Sequence, residues 1–306
     1  MAFSCAAHAQ STTAFFKASG RDILGPDGTP FLIRGNAPNA WLSPESYALK
    51  LNSVHSRHIG SFSDIQIRID QLLTNAADSA LFWSTFRSNY FTEADAADWS
   101  AEGFNTVRLP INYRMLQPWC CTGQWENAGF ELISNVVAWC AANDLYLILD
   151  LHAAPGGQSA DPPCDPEQTY WTYDSGIANW VEKGVACLWE SNATYFANTG
   201  RTPEWNQQRT VDIWREIATR FKDEKQIIGF DLINEPFLPW GVNGPVLRAL
   251  LTNITAAIRS VDTNHIIIAE DNYYAGTFEN MTPLWDDNMV LMFHKYWRPT
   301  QVSEIQ

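Results

Sequence analysis

The stretch Ile227-Ile-Gly-Phe-Asp-Leu-Ile-Asn234-Glu235-Pro236 is an apolar run of strand length that ends in an amide, a carboxyl group and a proline. A run that is apolar nearly throughout, rather than alternating, is typical of a buried parallel strand. Pro236 cannot continue a central strand, so Glu235 lies at the strand's exit, where parallel barrels place their functional side chains. We interpret Glu235 as a proton donor; the alternative is a carboxylate that caps the next helix or binds a backbone amide.

The length and charge of the chain limit what it can be. Its 306 residues are enough for one large α/β barrel or two ordinary domains, and 46% of them are hydrophobic, which supports a full core. No apolar run reaches the roughly 18 residues of a membrane span. A net charge of −14 without a long basic run argues against nucleic acid and membrane surfaces as partners. Neutral ligands remain, and carbohydrate is the obvious neutral polymer.

The N-terminus and the cysteines point to export. Ala7-His8-Ala9 has the small-x-small form of a signal-peptidase site. We therefore interpret residues 1–14 as the remnant of a signal peptide, with a disordered terminus as the alternative, and expect a secreted or periplasmic protein. Among the six cysteines we expect one disulfide, which joins either the loop of Cys120 and Cys121 to a second loop or Cys164 to Cys187. No cysteine spacing matches a zinc site, and we expect no metal.

Strand and helix patterns alternate along residues 15–306. A hairpin at 15–33 with a turn at Pro26-Asp27-Gly28 comes first, and a long helical insertion at 64–90 follows the first barrel strand. Thr92-Glu-Ala-Asp95 has the form of a capping box. The segments predicted as barrel strands are 31–35, 106–111, 145–152, 227–234, 265–270 and 289–294. Six β/α steps in one direction predict a parallel barrel of the TIM type, with about six β/α units readable in this chain.

Polar side chains stand at or near the ends of these predicted strands. Their convergence at one barrel mouth predicts an active site there. Each residue also has a structural alternative: Arg108 as an ion-pair partner, His152 as a core histidine, Glu270 as a helix cap. The residues are Arg108, His152, Asn234 with Glu235, Glu270, and His294 with Tyr296.

As a set, five motifs make the chain resemble the family 5 glycoside hydrolases, the large cellulase family. The likeness runs from about residue 20 to the end, and it implies a (β/α)8 barrel that acts on a β-linked glycan without cofactor or metal, as a monomer when complete. The motifs are Ile33-Arg-Gly35 with Trp41, Val107-Arg-Leu-Pro110, Asp150-Leu-His-Ala-Ala-Pro-Gly156, Ile233-Asn-Glu-Pro236 and Phe293-His-Lys-Tyr-Trp297.

The resemblance implies a role for each matching residue. Glu235 would be the general acid/base of a retaining mechanism, with a pKa raised by negative neighbours and partial burial. Asn234 would contact the sugar 2-hydroxyl, and Arg108 would orient the nucleophile. His152, His294 and Tyr296 would line the −1 subsite, with Trp41 and Trp297 near it. Of five tryptophans we expect at least two to be partly exposed at the barrel mouth: Trp41, Trp171, Trp180, Trp189 and Trp297.

The chain departs from the family at the nucleophile. That residue is expected as a Glu after strand seven, but only nine residues follow Trp297. Glu304 lies in a polar tail, and Glu270 matches a family position that is not the nucleophile. We therefore expect a truncated and inactive barrel whose full-length form is an endo-β-1,4-glucanase or related β-glucanase. A mannanase, a xylanase, an exo-β-1,3-glucanase and a non-catalytic carbohydrate-binding barrel remain as alternatives.

Overall fold

The structure is a computed structural model that describes residues 14–51, 60–73, 75–117, 123–174 and 179–296. For residues 167–174 and 179–182 it describes the backbone alone. The β-strands of this part of the chain are β1 (Lys17–Ser19), β2 (Asp22–Leu24), β3 (Gly35–Asn36), β4 (Thr106–Asn112), β5 (Tyr146–Ala153), β6 (Glu167–Asp174), β7 (Asn179–Val185), β8 (Ile227–Asp231), β9 (Ile266–Glu270) and β10 (Met289–Met292). The helices are α1 (Phe62–Leu73), α2 (Ala76–Tyr90), α3 (Glu93–Ala101), α4 (Asn127–Ala142), α5 (Ala193–Thr199), α6 (Pro203–Phe221), α7 (Gly244–Arg259) and the four-residue α8 (Asn272–Ala275), with 3-10 turns at Tyr113–Met115 and Pro162–Cys164.

A six-stranded parallel sheet forms the centre of the fold. Its strand order is β3-β4-β5-β8-β9-β10, so each barrel strand pairs with the next one along the chain. Every residue of β8 and β9 is buried, as expected for parallel strands covered on both faces. This sequential parallel order confirms the predicted barrel architecture. In the part of the chain that the structure describes, β3 and β10 are the edges of the sheet.

Helices connect successive strands and cover the outside of the sheet. The faces of α4, α6 and α7 that pack inward carry apolar side chains at helical spacing, for example Ile213, Trp214 and Ile217 of α6. Gly229 allows the close pairing of β8 with β9, because a Cβ at this position would lie 2.4 Å from the Ile266 carbonyl oxygen. The strand ends are thereby held in fixed register at the mouth of the barrel.

The first barrel strand is shorter than predicted and begins at Gly35 rather than residue 31. The residues before it complete the N-terminal hairpin instead, since the Phe31 N–H donates to the Ile23 carbonyl and Leu24 bridges Pro30. Phe31 also packs against the buried ring of Phe16 at a centroid distance of 5.0 Å. The tertiary contact of this apolar segment therefore overrides its strand pattern. The predicted turn at Pro26–Gly28 is confirmed, with the Thr29 N–H donating to Asp27 Oδ1.

Two other segments differ from the sequence-based expectation. The predicted helical insertion at 64–90 consists of two helices, α1 and α2. Asn75 lies between them and caps the start of α2, since its side chain accepts from the Asp78 N–H. Between β5 and α6, where the sequence analysis predicted no element, the chain forms the antiparallel hairpin β6–β7 and the short helix α5. The capping box of Thr92 and Asp95 at the start of α3 is confirmed.

The expected disulfide between Cys164 and Cys187 is wrong. Both side chains are buried, but no bond joins them, and the Cys164 sulfur contacts the Ser159 hydroxyl at 3.0 Å instead. Cys120 and Cys121 lie outside the described residues, as does the segment 1–13 that holds the predicted signal remnant. In the described part of the chain, no helix combines the length and the apolar character that a membrane span requires.

Candidate active site

The residues predicted at the strand ends do meet at one end of the sheet. Arg108 is within β4 and His152 is the penultimate residue of β5. Asn234 and Glu235 follow β8, and Glu270 is the last residue of β9. His294 and Tyr296 follow β10 and reach back to Glu235. A single network of hydrogen bonds connects all of these side chains, as the following contacts show.

Arg108 is the centre of a buried cluster of carboxylates. Its guanidinium donates to Asp231 Oδ2 from both Nε (3.0 Å) and Nη2 (2.7 Å), and Nη1 lies 3.0 Å from Asp150 Oδ2. Nη2 also reaches Asn234 Oδ1 at 2.9 Å and Glu270 Oε1 at 3.2 Å. The alternative of a structural ion-pair partner therefore describes Arg108 well in this structure. Burial opposes the guanidinium charge, but the three carboxylates raise the pKa of Arg108, which keeps it protonated.

One member of this cluster tends to hold a proton. Asp231 is fully buried, and its Oδ1 atom has no hydrogen-bond partner among the described residues. Burial and the neighbouring Glu270 raise the pKa of Asp231 well above its ordinary value, although Arg108 acts in the opposite direction. Three acidic side chains around one guanidinium cannot all be ionised at low cost, and protonation of Asp231 relieves this repulsion.

Glu235 is held in position through its backbone as well as its side chain. Its φ of 46° lies in the left-handed region, which is uncommon for a residue with a side chain. The Glu235 N–H donates to Glu270 Oε2 at 2.6 Å. Its carboxyl Oε1 accepts from His294 Nδ1 at 2.6 Å and from the Tyr296 hydroxyl at 2.7 Å. The carboxyl group is half-buried, so a ligand at the mouth of the barrel can reach it.

The expectation that the site raises the pKa of Glu235 is wrong for this arrangement. Burial does raise it, but the hydrogen bonds from His294 and Tyr296 and the charges of His294 and His152 outweigh burial, so the pKa is lowered. His294 lies between two carboxyl groups, because its Nε2 is 3.2 Å from Glu270 Oε1. Although burial opposes protonation, the bonds to Glu235 and Glu270 raise the pKa of His294 to about 10. An imidazolium beside Glu235 favours the carboxylate form.

His152 is bonded to carboxylates on both sides of its ring. Nδ1 lies 2.7 Å from Asp150 Oδ2, and Nε2 lies 3.0 Å from Glu45 Oε1. Burial lowers its pKa, but the charge and hydrogen bond of Asp150 and the bond to Glu45 raise it to about 10. His152 is thus a fixed cation of the site rather than a neutral core histidine.

The sequence analysis missed three residues that build the site. Glu45 comes from the loop after β3, which has no periodic pattern and gave no signal. Asp231 lies within the stretch 227–236, but its position inside an apolar strand indicated burial and gave no sign of a bond to Arg108. Gln158 donates to the carbonyls of His152 and Asn234, both at 2.8 Å, and so joins the exits of β5 and β8.

Two of the five tryptophans expected to include the sugar-binding surface are buried. Trp41 is 1% exposed, its indole N–H donates to the Arg87 carbonyl, and its ring packs on Phe91, so its assignment to substrate binding is wrong. Trp189 is buried too, with its N–H bonded to the Gln158 carbonyl. Trp297 lies outside the described residues, as do the side chains of Trp171 and Trp180.

The site places the partly exposed Glu235 carboxyl group next to His294 and the Tyr296 hydroxyl, both of which bond it. A partly exposed carboxyl group in this position can exchange a proton with a bound molecule. Among the described residues, no group of three or more His, Cys, Asp or Glu side chains could hold a metal ion.

Known proteins resemble this chain over most of its length. A β-xylosidase from Phanerodontia chrysosporium is 28% identical over 267 residues, which are 87% of this chain and 48% of the xylosidase. Endoglucanase C from Acetivibrio thermocellus is 28% identical over 209 residues, 68% of this chain and 50% of its own. A probable glucan 1,3-β-glucosidase A from Aspergillus clavatus is 24% identical over 218 residues, 68% of this chain and 43% of its own. The chain therefore spans about half the length of these curated relatives.

The model of one protein family, described as cellulase (glycosyl hydrolase family 5), matches residues 71–305. This match covers more than half of the chain and includes β4, β5, β8, β9 and β10 with every strand-end residue of the site. Together with the sequential parallel sheet, it establishes that this chain belongs to glycosyl hydrolase family 5, the cellulase family.

Proposed function

We propose that this chain carries the acid/base half of a site that hydrolyses a β-linked glycan with retention of configuration, and that Glu235 is the acid/base. The observation that carries the proposal is the position of the Glu235 carboxyl group. It is half-buried at the exit of β8, and among the described residues both of its side-chain contacts are to Oε1. Oε2 is thus available to a glycosidic oxygen.

The proposed reaction has two steps. In the first, a nucleophilic carboxylate attacks the anomeric carbon while Glu235 protonates the leaving oxygen; in the second, Glu235 deprotonates the water that releases the sugar. The two carboxyl groups of such a pair are about 5–5.5 Å apart. A second carboxylate at this distance would raise the pKa of Glu235 and offset the effect of His294.

The nucleophile is not assigned to any described residue. Glu270 is fully buried, and its two oxygens are bonded to the Glu235 N–H, Arg108 and His294. Glu45 is buried against His152. Neither carboxylate is placed to reach an anomeric carbon while it keeps these bonds. We therefore propose that the polypeptide of residues 1–306 is inactive by itself.

The proposed substrate is a β-1,4-glucan or a related β-glucan. The endoglucanase among the relatives supports a glucan, whereas the β-xylosidase supports a β-xyloside and the glucan 1,3-β-glucosidase a 1,3-linked glucan. The acidic charge of −14 suits a neutral polymer rather than a polyanion. Secretion and a monomeric state belong to the same proposal.

Replacement of Glu235 by Gln tests the proposal in the natural protein that carries this chain. Glu235→Gln should keep the fold and lower the kcat for unactivated glycans by about 100-fold or more, because the proton donor is lost. Aryl glycosides with good leaving groups need little protonation, so their first step should be affected far less. The rates should be measured on β-glucan, β-mannan and xylan, which also identifies the substrate.

Azide and a matched variant serve as controls. Azide should partly restore turnover of activated substrates by Glu235→Gln, since an anionic nucleophile needs no general base. Glu131→Gln, at an exposed position on α4, should behave like the unmodified protein. Polysaccharide hydrolysis at the unmodified rate by Glu235→Gln would refute the assignment, and glycan binding without hydrolysis by the natural protein would favour the non-catalytic alternative.

A further inference from the structure

The pattern Asn-x-Thr occurs three times in the chain, beginning at Asn192, Asn253 and Asn280. In a secreted protein this pattern, called a sequon, is the acceptor for an N-linked glycan, a bulky and hydrophilic group that has to stay at the surface. So short a pattern also arises by chance, and the structure has to support it. A usable sequon presents both the amide nitrogen of its asparagine and the hydroxyl of its threonine to solvent.

The sequon at Asn280 has no room for a glycan. Asn280 Nδ2 donates to the carboxyl group of the buried Asp271 at 3.0 Å, and its backbone N–H donates to the same group at 3.1 Å. A Cβ at Gly244 would lie only 1.9 Å from Asn280 Oδ1 and 2.4 Å from Nδ2, so this side chain packs directly on the first turn of α7. A sugar on Nδ2 would displace these contacts.

The sequon at Asn253 is presented only in part. Asn253 is exposed on α7, where a glycan would be tolerated. Thr255, however, is 4% exposed, and its hydroxyl donates to the Leu251 carbonyl at 2.8 Å and accepts from the Trp285 indole N–H at 3.0 Å. The folded chain therefore covers the hydroxyl that this sequon needs.

The sequon at Asn192 is presented completely. Asn192 is partly exposed and has extended backbone, with φ −124° and ψ 124°. Its Oδ1 caps α5 by accepting from the Tyr195 N–H at 2.9 Å, and its Nδ2 makes no hydrogen bond among the described residues. Thr194 is exposed, and within the described part of the chain its hydroxyl makes no hydrogen bond. Both reacting groups are thus at the surface.

An exposed aromatic ring lies one helical turn after this acceptor. The Phe196 N–H donates to the Asn192 carbonyl at 2.9 Å, and the Phe196 side chain is 54% exposed. Side chains of a helix tilt toward its N-terminus, so the Phe196 ring leans toward Asn192. It belongs to neither hydrophobic cluster of the described residues. A pyranose ring attached to Asn192 could cover it with its apolar C–H face.

We infer that Asn192 carries an N-linked glycan whose first sugar packs on Phe196. The inference rests on the proposed secretion, because glycans of this kind are transferred in the secretory pathway. The donor is a lipid-linked oligosaccharide diphosphate. A bond forms between Asn192 Nδ2 and the anomeric carbon of N-acetylglucosamine, and the bond from this carbon to the diphosphate breaks. The lipid diphosphate leaves with the electron pair, and Nδ2 loses one proton to a base of the transferase.

Peptide mass spectrometry of the natural protein from the culture medium tests the acceptor. Treatment with N-glycosidase in water labelled with heavy oxygen converts a glycosylated asparagine to labelled aspartate. We expect the label at Asn192 and none at Asn280. Asn192→Asp keeps an acceptor for the cap of α5 and cannot carry the glycan, and Thr194→Ala removes only the hydroxyl. Both variants should lack this glycan, whereas Asn253→Gln, the matched control, should keep the label at Asn192.

Thermal unfolding tests the contact with Phe196. In the Asn253→Gln background, enzymatic removal of the glycan should lower the melting temperature, because the Phe196 ring is uncovered. At least half of this decrease should disappear when Phe196→Ala is added. An equal decrease with and without the ring would overturn the packing of the sugar on Phe196.

Two results would overturn the acceptor: a secreted protein with unlabelled Asn192, or a label on Asn280. An unmodified Asn192 in a secreted protein would leave the proposed secretion and the acid/base in place and remove only the glycan. Protein found solely inside the cells, without a glycan, would end the proposed secretion and the inference together. The assay of Glu235→Gln decides the acid/base independently of all these results.

Discussion

Single residues at the strand ends were the most predictable part of this molecule. Arg108, His152 and Glu235 could be found because parallel strands put their C-terminal ends at one edge, where a polar residue after an apolar run stands out. Glu45 could not be found, since it lies in a loop and meets His152 only through the fold. The lowered pKa of Glu235 was equally beyond reach, because it depends on which side of the carboxyl group His294 occupies.

We propose that Glu270 positions Glu235, the proposed acid/base, and its replacement tests this role. Glu270→Gln keeps an acceptor for the Glu235 N–H but removes the charge that holds Arg108 and His294. We expect the kcat for unactivated glycans to fall on the order of 10–100-fold through misplacement of the acid/base, with a smaller loss on activated substrates. The pKa of His294 should fall from about 10, which an NMR titration of its ring measures.

The control for Glu270→Gln lies in the turn that precedes β9. Asp262 bonds His265 Nδ1 at 2.5 Å, a buried carboxylate–histidine pair at the opposite end of β9. Asp262→Asn should lower the melting temperature and leave the ratio of rates on unactivated and activated substrates unchanged. If both variants changed this ratio equally, Glu270 would have only a structural role.

At the scale of elements, predictability followed the length of the apolar pattern. Strands β4, β5, β8 and β9 are long, almost wholly buried runs, and all of them were located to within a few residues. The first barrel strand, at Gly35–Asn36, was placed too early because the apolar residues before it pack on the N-terminal hairpin instead. A sequence pattern reports that a segment is buried, and it does not report which partner buries it.

A buried carboxylate joins three elements of the fold, and its loss should be costly. Asp165 is 1% exposed; it accepts from the N–H and hydroxyl of Ser63 in α1, from Asn112 of β4, and from Arg114 Nε at 2.7 Å. Asp165→Asn removes the charge and leaves Arg114 without this ion pair. We expect the free energy of unfolding to fall by about 3 kcal/mol, measured by urea denaturation.

The comparison for Asp165→Asn is Asp286→Asn, which breaks the pair between Asp286 and Arg259 of α7. This pair is partly exposed, at 14% and 19%, so about 1 kcal/mol or less should be lost.

Acid should act on Asp165 in the same direction as the mutation. Burial raises the pKa of Asp165, but the charge of Arg114 and the hydrogen bonds from Arg114 and Ser63 outweigh burial, so the pKa is lowered from its ordinary value. The stabilisation is therefore complete above about pH 4 and is lost as the pH falls through the folded-state pKa. If Asp165→Asn and Asp286→Asn lowered the free energy of unfolding equally, this would contradict the role of Asp165 as a buried link between elements.

At the scale of the whole molecule, the sheet has two contrasting sides. The central strands β8 and β9 are buried at every residue, whereas Val290, Leu291 and Met292 of β10 are only partly covered. Leu32, before β3, is 72% exposed, and Phe293, after β10, is 64% exposed. Apolar side chains at unpaired strand edges favour association with other chains. The family could be recognised from the motifs, but this uneven cover could be seen only in the structure.

The last prediction concerns the polypeptide of residues 1–306 expressed by itself. Its edge strands β3 and β10 should pair with other copies, so we expect high-order association in gel filtration. We also expect no measurable turnover on β-glucan, β-mannan or xylan, because Glu235 can protonate a leaving group but no described carboxylate is free to trap the glycosyl cation. Glu235→Gln in the same polypeptide is the control. Turnover by residues 1–306 that Glu235→Gln abolishes would show that a carboxylate within this stretch is the nucleophile. Glu270→Ala would then be the first variant to make, since Glu270 is the carboxylate bonded to the Glu235 backbone.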